Sequence, residues 1–414
     1  MGVPLRTELA IYGVGFFPVC TYFMTITIMP LWVLQMDLSP LLLGIVLGCR
    51  PVLPLLFSIH TGAMIDRIGG RKVMIFFALI LLVTPALYPA MPWVWAVIAL
   101  QMTAGFADSM GWLGAQAMVG QLMQGRTIHT VRLALVSRAG NVIGPILAGA
   151  AWDIWGPWGT FGMISLWASG MLVSALMLPK GAPGTPAPRD PTPSDGEGPR
   201  DTRPTLRMLV PNPADYITTF KMLATPALAI TVMLGMMTHV GNNIQSTFYI
   251  VWLNGMGISG TLIGSLFSIS AMVAGAGTLL AGPLGRVIPR YWLLWLVVAT
   301  SIILIAITPL LGSYMVLMVV LSIRSGFGGM HQPLVISLML RNAGKGSAGK
   351  VMGLRGTANR VASIVGPISM GAIAEVIGIE ASFYVIGAIA TGLMILIAWR
   401  MTLHPEIHEK AREG

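Results

Sequence analysis

Charge is what this sequence has least of. Only 10% of its 414 residues are Asp, Glu, Lys or Arg, against roughly a quarter in soluble proteins. Mean hydropathy is +0.79, so an ordinary soluble domain is excluded. Cysteine is nearly absent: Cys20 and Cys49 are the two in the chain, both inside apolar runs, which excludes a disulfide framework. There is no Walker A motif, no Ser nucleophile elbow and no HExxH, so no nucleotide site or catalytic constellation can be read. An enzyme is not expected, nor a resident cofactor or metal, and the energy for any work should come from an ion gradient.

Long apolar runs take the place of charge. Stretches near 20 residues recur along the whole chain, the length that spans a bilayer as a helix. Twelve are read, at about 10–36, 41–65, 73–90, 93–116, 133–154, 160–179, 226–252, 260–281, 291–312, 314–339, 352–374 and 382–401. The net charge of +10 is sorted between alternate loops. Arg67, Arg71, Lys72, Arg126, Arg132, Arg286, Arg290, Arg341, Lys345 and Lys350 all fall on the side of the termini. The loops near Asp37, Pro92, Gly156, Gly255, Gly312 and Glu380 hold no Lys or Arg. The positive-inside rule then predicts cytoplasmic termini, and the basic pI needs no nucleic-acid partner. A multi-pass protein of a bacterial inner membrane is expected.

Residues 180–220, rich in Pro, Gly and mixed charge, read as a disordered cytoplasmic linker. It separates six spans in 1–179 from six in 221–414. The halves repeat: Arg138, Gly144, Pro145, Gly149, Asp153 and Phe161 recur as Arg360, Gly366, Pro367, Gly371, Glu375 and Phe383 at an offset of 222. The expectation is an all-α membrane protein, two six-helix bundles with pseudo-two-fold symmetry around a midplane site. Spans 3, 6, 9 and 12 have no ionisable residue in their cores and should face lipid, leaving the others to line an interior.

Between spans 2 and 3 lies Gly62-Ala-Met-Ile-Asp66-Arg67-Ile-Gly69-Gly70-Arg71-Lys72. This resembles motif A of the major facilitator superfamily in every position that defines it. The resemblance implies a latch between the halves on the cytoplasmic side, built on Gly62, Asp66, Arg67, Gly69, Arg71 and Lys72. The loop between spans 8 and 9, Gly282 to Arg290, has no acid at the position of Asp66, so a second latch is expected to be degenerate. Gly140, Gly144, Pro145 and Gly149 resemble the family's motif C, whose small residues let helices pack closely. Where motif B carries an Arg, span 4 has Gln101 before Gly105; in span 10 Arg324 does precede Gly328. The resemblance covers all twelve spans and implies a secondary transporter, monomeric, binding a small molecule.

Candidate site residues follow from polarity and depth. Arg50 lies mid-span, with lipid-grade sequence on both sides. A guanidinium at the bilayer centre costs about 3 kcal/mol on insertion scales, so it needs a partner or a polar cavity. Counting at 1.5 Å per residue puts Arg324 level with Arg50. Asp108 and His331 lie somewhat deeper. Span 7 adds His239, Asn242, Asn243 and Gln245; span 1 adds Tyr22 and Thr25. Two readings stay open. In one, Arg50 and Arg324 fork an anionic substrate group while Asp108 or His331 carries a coupling proton. In the other, Arg50 pairs with Asp108 as a structural ion pair and backbone carbonyls hold Arg324. Arg138 and Arg360, nearer the cytoplasm, are expected to form gating salt bridges, for example Arg360 with Asp66. The favoured cargo is an organic anion or polar metabolite, moved with protons by alternating access. Efflux of drug-like compounds is the alternative. Copper import is a minor one, suggested by Met233, Met236, Met237 and His239 on span 7.

Overall fold

Inside a bilayer every backbone N–H and C=O must be satisfied within the chain, and the apolar runs meet that demand as helices. A computed structural model of the chain describes residues 4–57, 65, 69–123, 126–179, 222–342 and 348–403. The linker read at 180–220 and the motif A residues Gly62, Asp66 and Arg67 lie outside the described residues.

The helices are α1 (Leu5–Leu34), α2 (Pro40–Phe57), α3 (Gly70–Ala90), α4 (Val94–Leu122), α5 and α6 within one segment (Thr127–Met177), α7 (Pro226–Gly255), α8 (Gly260–Val287), α9 (Arg290–Ala306), α10 (Tyr314–Asn342), α11 (Ala348–Ile377) and α12 (Ile379–Thr402). These are the twelve spans, with α1 starting five and α5 six residues before their expected positions. The 127–177 segment turns at Gly156, α5 before it and α6 after it; the φ of +63° there is a left-handed conformation that glycine adopts without a Cβ penalty. By length and hydropathy alone eight described segments could cross a membrane. The others are the short α9, and α4 and α10, which carry Asp108, Arg324 and His331.

Two spans are broken near their middles. The helical hydrogen bonding of α2 lapses at Cys49–Pro51 and resumes at Val52, because the Pro51 ring displaces the carbonyl four residues before it and offers no N–H. α7 breaks between Gln245 and Phe248.

Three apolar clusters hold the helices. One is drawn from α1 and α3–α6 near the termini, a second from α7–α12 near the termini. The third lies at the opposite end, here called the far end, and takes side chains from both halves, including Trp32, Phe161, Phe248, Tyr249 and Phe383.

The halves meet along α2–α11 and α5–α8. Small residues bring backbones together there. A Cβ on Gly371 would strike the Pro40 carbonyl, and one on Gly149 the Gly260 carbonyl. Motif C glycines pack likewise: Gly140 and Gly144 face the backbone of Cys20 on α1.

Two carboxylates complete this far-end closure. α8 starts at Ser259 and Gly260, and the Asp153 carboxylate of α5 accepts from Gly260 N at 2.9 Å and Thr261 N at 2.7 Å. α2 starts at Ser39 and Pro40, and the Glu375 carboxylate of α11 accepts from Leu41 N at 3.0 Å. Each acid thus satisfies orphan donors at a helix N-terminus in the other half, where the helix dipole favours negative charge. Asp153 and Glu375 are repeat partners at the offset of 222, so the clamp obeys the same pseudo-two-fold as the sequence.

Candidate functional site: a central cavity with a buried ion pair

The break in α2 presents Arg50 to a central cavity of about 260 Å³. Its walls come from α1, α2, α4, α7 and α11. None comes from α3, α6, α9 or α12, the four helices without ionisable cores, which instead expose side chains such as Phe76, Leu166, Ile303 and Ile395 to their surroundings.

Arg50 is only 5% exposed, so its charge must be matched locally. Its Nη2 donates to Asp108 Oδ2 in a short charge-assisted bond, and its Nη1 donates to Gln101 Oε1 at 2.6 Å. The Tyr22 ring lies under the guanidinium, 5.4 Å from Cζ to centroid, near enough for a cation–π contact. Gln101 Oε1 also accepts from the Tyr88 hydroxyl at 3.0 Å, which holds the amide with its oxygen toward Arg50. Gly105 permits this geometry: a Cβ there would run into the Arg50 carbonyl. Among the described residues Arg50 Nε and Asp108 Oδ1 have no hydrogen-bond partner. The ion pair is therefore formed but not saturated.

The other predicted residues divide. Asn243 lines the cavity, and its Nδ2 donates to Ser363 Oγ at 2.9 Å. Tyr22 and Gln101 line it too. Gln245 is buried, and the Thr25 hydroxyl turns back to the Thr21 carbonyl at 2.8 Å, bonding within its own helix. Arg324 is buried but is not among the lining residues; its Nη2 donates to Asn242 Oδ1 at 2.7 Å. An amide thus holds it where carbonyls of the backbone were one expectation. His239 and His331 face each other, ring centroids 6.3 Å apart.

The expected gating salt bridges take another form. Arg138 Nη2 donates to Thr278 Oγ1 at 2.9 Å, and Arg360 Nη1 to the Pro54 carbonyl at 2.8 Å. Both bonds cross between the halves, and both acceptors are uncharged; Asp66 lies outside the described residues. Of motif A, Gly69 adopts φ +93° just before α3, and Arg71 Nη2 donates to the Leu176 carbonyl at 3.0 Å; Lys72 is exposed. Among the described residues no three of His, Cys, Asp and Glu gather as metal ligands, and Met237 lines a small separate apolar pocket with Val240 and Ile305.

Tyr88 and the pair Asp153 and Glu375 escaped the sequence reading as functional residues. The offset of 222 marked the two acids as equivalent, and helix starts at Ser39 and Ser259 could have named their targets. Tyr88 carried no such signal, since a phenol is unremarkable in an apolar span.

The Major Facilitator Superfamily model matches residues 11–367 and 234–414. The chain belongs to the major facilitator superfamily. No curated protein matches the sequence. Among solved structures the chain is similar to nucleoside transporter NupG, at 13% identity and a TM-score of 0.75, over 95% of this chain and 99% of that one. It is similar to a POT family transporter in complex with a thioalcohol-conjugated peptide, at 16% identity and a TM-score of 0.76, over 97% and 96%. A D-xylose–proton symporter matches at 14% identity and a TM-score of 0.67, over 95% and 97%. At these identities the likeness is one of fold. As a superfamily member the chain is a multi-pass membrane transporter of small molecules and not an enzyme, and its two-bundle helical architecture is the superfamily fold.

Proposed function

We propose that this transporter carries a small organic anion together with protons, by alternating access, with Asp108 as the proton site and Arg50 as the group the proton frees. The carrying observation is the charge of the cavity wall. Arg50 and Arg360 both line it against the one carboxylate of Asp108, and Arg360 binds only a carbonyl among the described residues. A low-dielectric cavity with an excess guanidinium favours an anion. While Asp108 is ionised it competes for Arg50. Protonation removes that competitor and leaves a buried cation needing a new partner, which a carboxylate cargo supplies. Breaking a buried pair without replacement costs about 3–5 kcal/mol, so proton and anion bind together, the logic of symport. The proton-symporter relative is consistent with such coupling.

Membrane orientation is read from the loops. With positive loops inside, the termini and the 180–220 linker are cytoplasmic, and the far end faces outward. The clamped far end then corresponds to an inward-facing form, acting as a monomer in the inner membrane. The two bundles, 1–179 and 221–414, would rock against each other across α2–α11 and α5–α8.

The test begins with thermal shifts of the purified protein against carboxylates, amino acids, sugars, metals and lipophilic cations. Hits are then assayed in proteoliposomes with an imposed pH gradient. The reading expects a carboxylate to stabilise the protein and Asp108→Asn to keep counterflow while losing gradient-driven uptake. Stabilisation by lipophilic drugs alone, or wild-type uptake by Arg50→Gln, would refute it.

A further inference from the structure

The central cavity has two chemically different walls. Ile26, Met29 and Leu47 of α1 and α2 give it an apolar face from the N-terminal half. From the C-terminal half every lining residue is polar: Asn243, Ser246 and Thr247 of α7, with Arg360 and Ser363 of α11. The break in α7 falls on Ser246 and Thr247. In a continuous helix the Thr247 N–H would bond the Asn243 carbonyl; here it turns to the Ile244 carbonyl at 3.3 Å. The two hydroxyls take its place. Thr247 Oγ1 donates to the Asn243 carbonyl at 2.6 Å and Ser246 Oγ at 3.2 Å.

These bonds use up the protons of the polar wall. A hydroxyl has one proton and two lone pairs, and a primary amide has two protons. Ser246 and Thr247 have committed theirs to the break. Ser363 Oγ donates to the Asn359 carbonyl of its own helix at 2.9 Å. Asn243 Nδ2 gives one proton to the His239 carbonyl at 2.7 Å and the other to Ser363 Oγ at 2.9 Å. The His239 carbonyl can only accept, which fixes the way the amide faces. Apart from Arg360, this wall has no proton left to donate. It presents lone pairs instead, on Asn243 Oδ1, Ser246 Oγ and Thr247 Oγ1, and among the described residues nothing donates to any of the three. Thr247 is buried, so a donor that reaches its oxygen is shielded from competing water.

We infer that the cargo is not a plain carboxylate but an organic acid bearing uncharged O–H or N–H donors, and that Asn243, Ser246 and Thr247 select it by accepting from them. The inference rests on the reading of the cavity as an anion site and names what the rest of the anion must carry. The guanidinia of Arg50 and Arg360 take the carboxylate. Arg360 and Ser363 are three residues apart on α11, and Asn243 and Thr247 four apart on α7. At 1.5 Å per residue the acceptors run from about 5 Å to about 10 Å beyond Arg360, so the donors belong on the part of the molecule away from its carboxylate. The polar wall offers no carboxylate to match an ammonium, which is why the donors are uncharged. The carbon skeleton lies against Ile26, Met29 and Leu47. A site whose polar groups are all acceptors rejects an analogue that cannot donate to them, because they are then left unmatched.

The experiment is calorimetric titration of the full-length protein in detergent with matched acids. Gluconate is paired with O-permethylated gluconate, and N-acetyl-γ-aminobutyrate with its N-methylated form; methylation removes the donors and keeps the carboxylate. Hexanoate serves as the plain carboxylate. In at least one pair wild type should bind the donor-bearing acid roughly tenfold or more tighter than its methylated partner, and tighter than hexanoate. Thr247→Val, which keeps the side chain's shape and removes its oxygen, should bring the donor-bearing acid down to the level of that partner. A preference due only to the bulk of the methyl groups would survive that substitution. Arg50→Gln should weaken all the acids alike. Melting temperatures without ligand separate misfolding from lost binding, and if Thr247→Val fails to fold, Ser246→Ala decides. Acids that bind equally well with and without donors, or a preference that persists in both Thr247→Val and Ser246→Ala, would overturn the inference and leave the anion reading in place. Binding of none of the acids, hexanoate included, would overturn the anion reading and this inference with it.

Discussion

Replacing both far-end clamp acids, Asp153→Ala with Glu375→Ala, should release the closed end of the molecule. Asp153 accepts two backbone N–H bonds and Glu375 accepts one, all from donors that an α-helix leaves unsatisfied at its start. Both acids are exposed, so solvent screens them and their worth is that of a helix cap rather than a buried ion pair. Losing a capping acceptor costs about 1 kcal/mol, and the dipole contribution is of similar size or smaller. The clamps sit in different interfaces, α5–α8 and α2–α11, so their losses should add. About 2 kcal/mol in total shifts the equilibrium between far-end-closed and far-end-open forms roughly 30-fold. Spin labels at Trp93→Cys and Leu310→Cys report the change, since these residues are 64% and 70% exposed at the far end of opposite halves; Cys20 and Cys49 are buried. Wild type should give one short distance, and the double variant a substantial second population several ångströms longer. Asp153→Asn, which retains an acceptor, should fall between. An unchanged distance distribution in the double alanine variant would refute the assignment of the closure to these acids.

Three further outcomes follow from the central site. Arg50→Gln strands the Asp108 carboxylate and should lower stability by about 3 kcal/mol, seen as a drop in melting temperature that adding Asp108→Asn largely reverses; no reversal would mean the pair is not an energetic unit. Gly105→Val forces a side chain into the Arg50 backbone and should cost about 1–3 kcal/mol and abolish transport, whereas equal disruption of a control Gly162→Val, where a Cβ meets nothing within 4 Å, would undercut the explanation. Tyr88→Phe removes one hydroxyl from Gln101 and should cost about 1 kcal/mol while raising KM more than it lowers kcat, measured by uptake kinetics.

Much of this was legible in the residues, for identifiable reasons. Spans are visible because crossing a bilayer demands a run of apolar residues, and the two halves because repeat partners such as Arg138 and Arg360 keep their spacing. Arg50 announced itself by being charged where charge is costly. Its pairing with Asp108, 58 residues further on, was one of two open readings, because depth counted along a helix says nothing of rotation about its axis. The same counting set Arg324 level with Arg50 and suggested one shared anion site. It treated α2 as a straight rod, but Pro51 breaks that helix at Arg50, and Arg324 turns instead to Asn242. Pro51 stood in the sequence as a warning. The acceptors of Arg138 and Arg360 could not be foreseen, since a threonine hydroxyl and a proline carbonyl carry no compositional signal.

The three apolar clusters bear on assembly. Each half owns a core near the termini made from its own helices, while the far-end cluster is common property. A chain built this way does not require covalent continuity between residues 179 and 222. The halves, made as two polypeptides in one cell, would each fold around a private core and then find each other through the shared one, with α2 meeting α11 and α5 meeting α8. Fragment complementation would succeed with a cut between the bundles and fail with a cut inside either one.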